Sequence, residues 1–155
     1  MKLRVVALGH RMPTWVTAGW NDYAQRQPRE FALELVVIKP EARDGGKPLA
    51  RLLANEEARI VSACKGALLI ALDERGRGWT TREFADHLSR WRDDARDVAF
   101  VIGSADGLAE SVKRDASATV ALSALTLPHG LVRVIVAEQL YRAASLLSHH
   151  PYHRE

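Results

Sequence analysis

Three segments of this sequence hold residue types able to bind or transform a small ligand. Asp73-Glu74-Arg75-Gly76-Arg77-Gly78, Gly103-Ser104-Ala105-Asp106-Gly107 and Ser123-Ala124-Leu125-Thr126-Leu127-Pro128-His129 each follow a short apolar run. In α/β sheets, ligands settle beyond the carboxyl ends of strands, so these loops come first. The glycines at 103 and 107 suit either a tight turn or a close approach of backbone to a ligand. Their spacing is not Gly-x-Gly-x-x-Gly and no Gly-Lys-Ser/Thr follows, which disfavours a dinucleotide fold or a P-loop. The third segment is nearly all apolar, and loops of that kind are seldom left in water. It must pack into the core, be covered by a partner or line an apolar site.

Further along, Glu138 and Arg142 stand at i and i+4, one face of a helix, where the ordinary outcome is a surface ion pair of about 0.2–0.5 kcal/mol. The tail His149-His150-Pro151-Tyr152-His153-Arg154-Glu155 gathers three histidines, a tyrosine and an arginine. No cysteine is near enough to complete a structural zinc set, and a frayed terminus is the plain reading. Tyr and Arg are nonetheless the residue types that stack on and grip nucleotides. No Gly-x-Ser-x-Gly elbow or His-Glu-x-x-His pattern occurs. Cys64, the single cysteine, lies on an apolar helical face rather than in a basic cleft.

The elements that must position these residues follow from periodicity. Continuous apolar runs at 3–8, 31–38, 67–72, 98–102 and 118–122 read as strands covered on both faces. Glu34 breaks the second run and marks an edge or a half-exposed face. Helical patterns lie between them at 14–26, 49–65, 82–96, 108–114 and 129–148. Pro13, Pro48 and Pro128 fit first helical positions, and Thr80 with Glu83 forms a capping box. Five strand–helix alternations predict an α/β fold, a mostly parallel sheet with flanking helices, in one domain over 1–155. Residues 39–47, with Pro40 and Gly45-Gly46, read as a mobile surface loop.

Composition narrows the class. The chain has 155 residues, 47% hydrophobic and 26% charged, which excludes disorder, and one cysteine excludes a disulfide scaffold. The opening apolar run is too short for a signal or spanning helix, so the expectation is a cytoplasmic protein with no membrane association. Residues 1–70 carry eleven Lys and Arg against seven Asp and Glu, whereas 71–155 carry eleven against twelve. The basic first half, with Lys2, Arg4, Arg11, Lys39, Arg43, Lys47 and Arg51, is suited to meeting phosphates.

At these same loops the chain resembles the ribosomal RNA large-subunit methyltransferase H family, of the SPOUT class. The resemblance is carried by Leu72-Asp73-Glu74-Arg75-Gly76, Phe100-Val101-Ile102-Gly103-x-Ala105-Asp106-Gly107 and Leu122-Ser123-x-Leu125-Thr126-Leu127-Pro128-His129. Arg133-Val134, Ala137-Glu138-Gln139-Leu140-Tyr141-Arg142-Ala143 and Pro151-Tyr152-His153-Arg154 continue it in the same order. Ser104 departs from the family, which usually has a second glycine there.

The resemblance implies a C-terminal trefoil knot, a homodimer and S-adenosylmethionine as methyl donor, with no metal. It implies N3-methylation of pseudouridine in large-subunit rRNA of assembled ribosomes. Leu72, Gly103, Leu122, Ser123, Ala124, Leu125, Thr126 and Leu127 match the family's cofactor-binding positions. Glu138, Arg142, Tyr152, His153 and Arg154 match its catalytic region. Tyr152 is implied for stacking, His153 for proton handling and Arg154 for phosphate or developing negative charge, with Glu138 and Arg142 acting directly or holding the tail. Two other functions share parts of the pattern: a noncatalytic RNA-binding or ribosome-assembly factor, and a SPOUT methyltransferase acting on transfer RNA. The first would use the cofactor loops only for packing, and the second should lack the Pro-Tyr-His-Arg tail.

Overall fold

The computed structural model describes residues 1–9 and 11–154; His10 and Glu155, which the expected 1–155 domain includes, lie outside the described residues. The strands are β1 (Lys2–Leu8), β2 (Ala32–Ile38), β3 (Leu68–Gly78), β4 (Val98–Ile102) and β5 (Ala118–Ala121). The helices are α1 (Thr14–Arg26), α2 (Leu49–Ala63), α3 (Thr81–Asp93), α4 (Glu110–Asp115) and α5 (His129–Leu147), and a 3-10 turn, Pro151–Arg154, follows α5. Every strand pairing is parallel, in the order β2-β1-β4-β3-β5. The expected sheet with flanking helices is present.

The strands are continuously apolar because both faces are covered, and the side chains alternate between two cores. Leu3, Val5, Ala7, Ile70, Phe100 and Ile102 face one side, with Trp20 of α1, Phe84 and Leu88 of α3, and Val136 and Leu140 of α5. Val6, Leu8, Ala71, Ala99 and Val101 face the other, with Ile60 of α2, Cys64 and Val112 of α4. Each fully buried Leu, Ile or Phe contributes about 1.5–3 kcal/mol, so the two layers hold the sheet between them. β2 is an edge strand, as Glu34 suggested, and Glu34 pairs there with Arg4 at 2.9 Å. Burial pushes the Cys64 thiol up to about 11.

Several boundaries differ from expectation for local reasons. Residues 73–78, read as a loop, belong to β3, which resumes pairing with β5 at Arg77 and Gly78 after a register shift. A side chain at Gly76 would place its Cβ 2.7 Å from the Thr119 carbonyl group, so only glycine lets β3 pass the β5 backbone there. The charged, glycine-rich composition hides this strand. Pro13, Pro48 and Pro128 sit at N-caps, one residue ahead of their helices. The capping box at α3 is complete: Glu83 N donates to Thr80 Oγ1 and Thr80 N donates to Glu83 Oε2, at 3.1 and 2.7 Å.

The loop at 39–47 is pinned rather than loose. Arg43 lies 2.7 Å from both Asp106 Oδ2 and the buried Glu56 carboxylate, and its Nη2 donates to Ser104 Oγ at 2.8 Å. Arg59 donates to the Lys39 carbonyl at 2.7 Å and pairs with Glu41.

Candidate functional site

Beyond the carboxyl ends of β4 and β5, against the middle of β3, lies a cavity of about 750 Å³, in the size range of small-molecule sites. Leu72, Gly103, Leu122, Ser123, Leu125, Thr126 and Leu127 line it, while Ala124 does not. Thus seven of the eight residues aligned with cofactor binding converge, although they come from strand β3 and two separate loops. Leu53, Ile102 and Val132 extend the apolar wall, and Asp73, Glu74, Asp106, Glu110 and Lys113 supply charge. The bond of Lys113 to Glu110 at 2.8 Å, helped by Asp73 at 3.6 Å, raises its ammonium above its ordinary pKa.

The apolar segment at 123–127 is not packed into the core: Leu125 is 73% exposed. Its shape is held by polar bonds, Leu125 N to Ser123 Oγ at 2.9 Å and Thr126 Oγ1 to Glu74 Oε2 at 2.8 Å. Gly103 turns out to serve the loop itself. A Cβ there would lie 2.6 Å from the Gly107 carbonyl carbon, so its absence lets residues 103 and 107 close on each other. Ser104 has no positive φ, so a second glycine is not needed for the backbone.

His129 opens α5 at the cavity wall. Its Nδ1–H donates to the Gly103 carbonyl at 3.1 Å, and its Nε2 accepts from Arg133 Nε at 2.9 Å. Burial first, then the Arg133 charge, depress its pKa, against the pull of the Gly103 bond, so the ring is neutral at pH 7. Arg133 is 3% exposed, and burial lowers its pKa as well. Sequence reading passed over Arg133 except as part of a matched motif. Its signal was the i, i+4 spacing from His129, which is the spacing of neighbours on a helix face.

Three of the five residues aligned with the catalytic region, Glu138, Arg142 and Tyr152, form a second cluster. Arg142 Nε donates to Glu138 Oε1 at 2.8 Å, and the Tyr152 hydroxyl donates to the same oxygen at 3.1 Å. The Arg142 guanidinium stands 4.8 Å from the Tyr152 ring centre, and that ring lies 4.6 Å from Tyr141 of α5 and 6.5 Å from Tyr23 of α1. Burial works against the Arg142 charge, yet the bonds to Glu138 and Tyr152 outweigh it and hold its pKa up. Burial, with Tyr23 and Glu138 nearby, pushes the Tyr152 phenol far above its ordinary value. His153 Nδ1 bonds the His150 carbonyl, and Arg154 is exposed at the end of the 3-10 turn.

None of these five residues lines the 750 Å³ cavity. Along α5, nine residues separate His129 from Glu138, a rise of about 14 Å. One chain therefore brings seven cofactor-aligned residues together, and Glu138, Arg142 and Tyr152 together, but not the two groups to each other. Among the described residues, no cluster of three or more His, Cys, Asp or Glu could hold a metal, and no helix is long and apolar enough to cross a membrane.

The parallel α/β sheet with a cavity at its carboxyl side defines an α/β ligand-binding fold, and residues 1–153 match the family described as "Predicted SPOUT methyltransferase". "Ribosomal RNA large subunit methyltransferase H" of Burkholderia mallei (strain SAVP1) is 53% identical over 155 residues, 99% of each chain. The protein of the same name from Burkholderia pseudomallei (strain K96243) gives the same figures. The crystal structure of a probable methyltransferase from Bordetella pertussis Tohama I shares the fold, with a TM-score of 0.61 at 21% identity over 92% of this chain and 95% of that one. This chain belongs to the ribosomal RNA large subunit methyltransferase H family of SPOUT methyltransferases. It is an enzyme, and its class requires a methyl donor.

Proposed function

We propose that this chain, acting as a cytoplasmic homodimer with a trefoil-knotted C-terminal region, uses S-adenosylmethionine to methylate N3 of a pseudouridine in large-subunit rRNA on assembled ribosomes. The observation that carries the reading is the convergence of seven cofactor-aligned residues on one cavity. The donor fits it in kind: apolar walls for an adenine ring, carboxylates for hydroxyls and an amino group, and Lys113 for a carboxylate. When bound, the donor supplies an electrophilic methyl on a sulfonium, and direct displacement there requires no metal.

The chain's own residues then have two tasks. The pinned loops, held by Arg43 on Asp106 and by His129 on Gly103, keep the cavity in one shape, which aligns the reacting atoms. The tail handles the proton of the imide nitrogen, which must leave before or during transfer. His153 donates from Nδ1 to the His150 carbonyl, which leaves Nε2 as an acceptor for that proton. Arg154 offsets the negative charge that develops, a role its match to the family motif supports, while Glu138 and Arg142 position the tail by holding Tyr152. In a homodimer, the tail of one subunit completes the cavity of the other.

Mass mapping of rRNA from ribosomes incubated with protein and donor tests this directly. The expected product is one added methyl on a pseudouridine of the large-subunit RNA. Modification of transfer RNA alone would overturn the substrate, and no donor binding by calorimetry with ribosomes present would leave a noncatalytic factor.

A further inference from the structure

A second cavity, of about 860 Å³, opens beside the carboxyl ends of β1 and β2, against α1. Arg11, Lys39 and Arg133 line it together with Thr14, Thr17 and Asn21, and among the described lining residues there is no carboxylate. Arg133 is the unusual member. Its side chain is buried, its Nε is spent on His129, and its Nη2 has no hydrogen-bond partner. A buried guanidinium without a carboxylate is costly unless an anion completes it. Gly9 makes the room: a Cβ there would stand 2.6 Å from Arg133 Nη2. The N-terminus of α1, thirteen residues long, meets the same cavity at Thr14, with Pro13 at its cap and no side chain satisfying its first amides. Those amides and the positive end of the helix favour negative charge.

We propose that this cavity is a phosphate subsite that takes a backbone phosphodiester of the substrate RNA. The inference rests on the rRNA reading above and adds where the RNA backbone is held. The diester sits between Arg11 and Lys39 at the rim and the α1 amides at one side, above the buried Arg133 guanidinium, which supplies positive charge from the cavity wall. Val37, 51% exposed on the same wall, offers an apolar surface to the sugar. A free phosphate would use the cations equally, but a diester explains the location. Arg133 bonds His129, and His129 bonds Gly103 of the methyl-donor cavity, so two side chains link a phosphate held here to that cavity.

The test uses the full chain and assembled ribosomes, with binding measured over a series of salt concentrations. Arg11→Gln and Lys39→Gln change exposed residues, so both variants fold. Each should flatten the slope of log affinity against log salt by about 0.7–0.9, which is a loss of roughly five- to eightfold at 0.1 M salt. Arg114→Gln, an exposed position on α4, should leave the slope alone. Unchanged slopes in the Arg11 and Lys39 variants, or an equal change in all three, would overturn the subsite. In parallel, inorganic phosphate and dimethyl phosphate are titrated while the amide resonances of Thr14 and Trp15 and the Arg133 Nε resonance are followed. Shifts with both ligands, accompanied by the slope changes, support the subsite; shifts with unchanged slopes mean an adventitious ion only. Arg133→Met removes the buried charge. A melting temperature near the parent's with ribosome affinity lowered several-fold supports the subsite, and a collapse in stability with no further loss of affinity in the folded fraction would make Arg133 structural. Methyl transfer is scored separately by mass mapping, so failure of the rRNA reading and failure of the subsite are told apart.

Discussion

At the level of single residues, Gly103 and His129 shape the cavity proposed to hold the methyl donor. A methyl group on Gly103 meets backbone, not a flexible side chain, at 2.6 Å, so the loop from 103 to 107 must open to admit it. Gly103→Ala should weaken donor binding at least tenfold by calorimetry, since about 1.4 kcal/mol of loop distortion suffices for that factor. Affinity within twofold of the parent would show that the loop yields freely. His129 makes a pH-dependent contribution whose sign follows from its environment. Its folded pKa lies below the unfolded value of about 6.5, so the unfolded chain binds the extra proton first. Stability therefore falls as pH drops below about 6.5 and continues to fall until the folded pKa is passed. His87, whose pKa is lowered by burial and by Arg90, acts in the same direction. Denaturant midpoints between pH 8 and pH 5 should decline less steeply in His129→Gln than in the parent. Parallel declines would assign the effect to other groups.

At the level of elements, the clearest local signal is the start of α3. Thr80 and Glu83 satisfy two amides that the helix leaves open, and the bond from Thr80 N lowers the Glu83 pKa. Thr80→Ala should cost about 0.5–2 kcal/mol, read as a lower unfolding midpoint with unchanged donor binding. Such local chemistry explains why most of the fold was legible in sequence: proline caps, the capping box and continuous apolar runs all act over a few residues. What escaped was set by partners distant in sequence. The stretch Glu74-Arg75-Gly76-Arg77-Gly78 lacks every strand-forming residue type, and it pairs only because β5 passes beside Gly76. The loop at 39–47 reads as free by composition, yet Arg43 reaches Ser104 and Asp106, more than sixty residues onward. The cofactor positions were identified by resemblance, and their convergence on one cavity is a tertiary fact. Periodicity contained no hint of it.

At the level of the whole molecule, the separation of the two residue groups is the fact with most consequence. The cavity that gathers the cofactor-aligned positions borders the first turn of α5, whereas Glu138 and Arg142 lie further along that helix and Tyr152 in the turn after it, so within one chain the tail is fastened away from the cavity. The proposed two-fold dimer resolves this when each subunit's tail meets its partner's cavity across the symmetric interface. The test is complementation between two defective chains. One carries a bulky residue, Gly103→Arg, and keeps its tail; the other lacks residues 152–155 and keeps its cavity. Each homodimer should be inactive toward ribosomes. After unfolding and refolding at equal amounts, half the dimers are mixed, and each mixed dimer has one intact cavity facing one intact tail, so about a quarter of the parent's methyl transfer should return under two-fold symmetry. If each chain used its own tail, no dimer in the mixture would hold a complete site, and activity would stay at the level of the separate variants. Donor binding at half the parent's stoichiometry, with mixed dimers confirmed by native mass, excludes failure to refold as the cause of a null result.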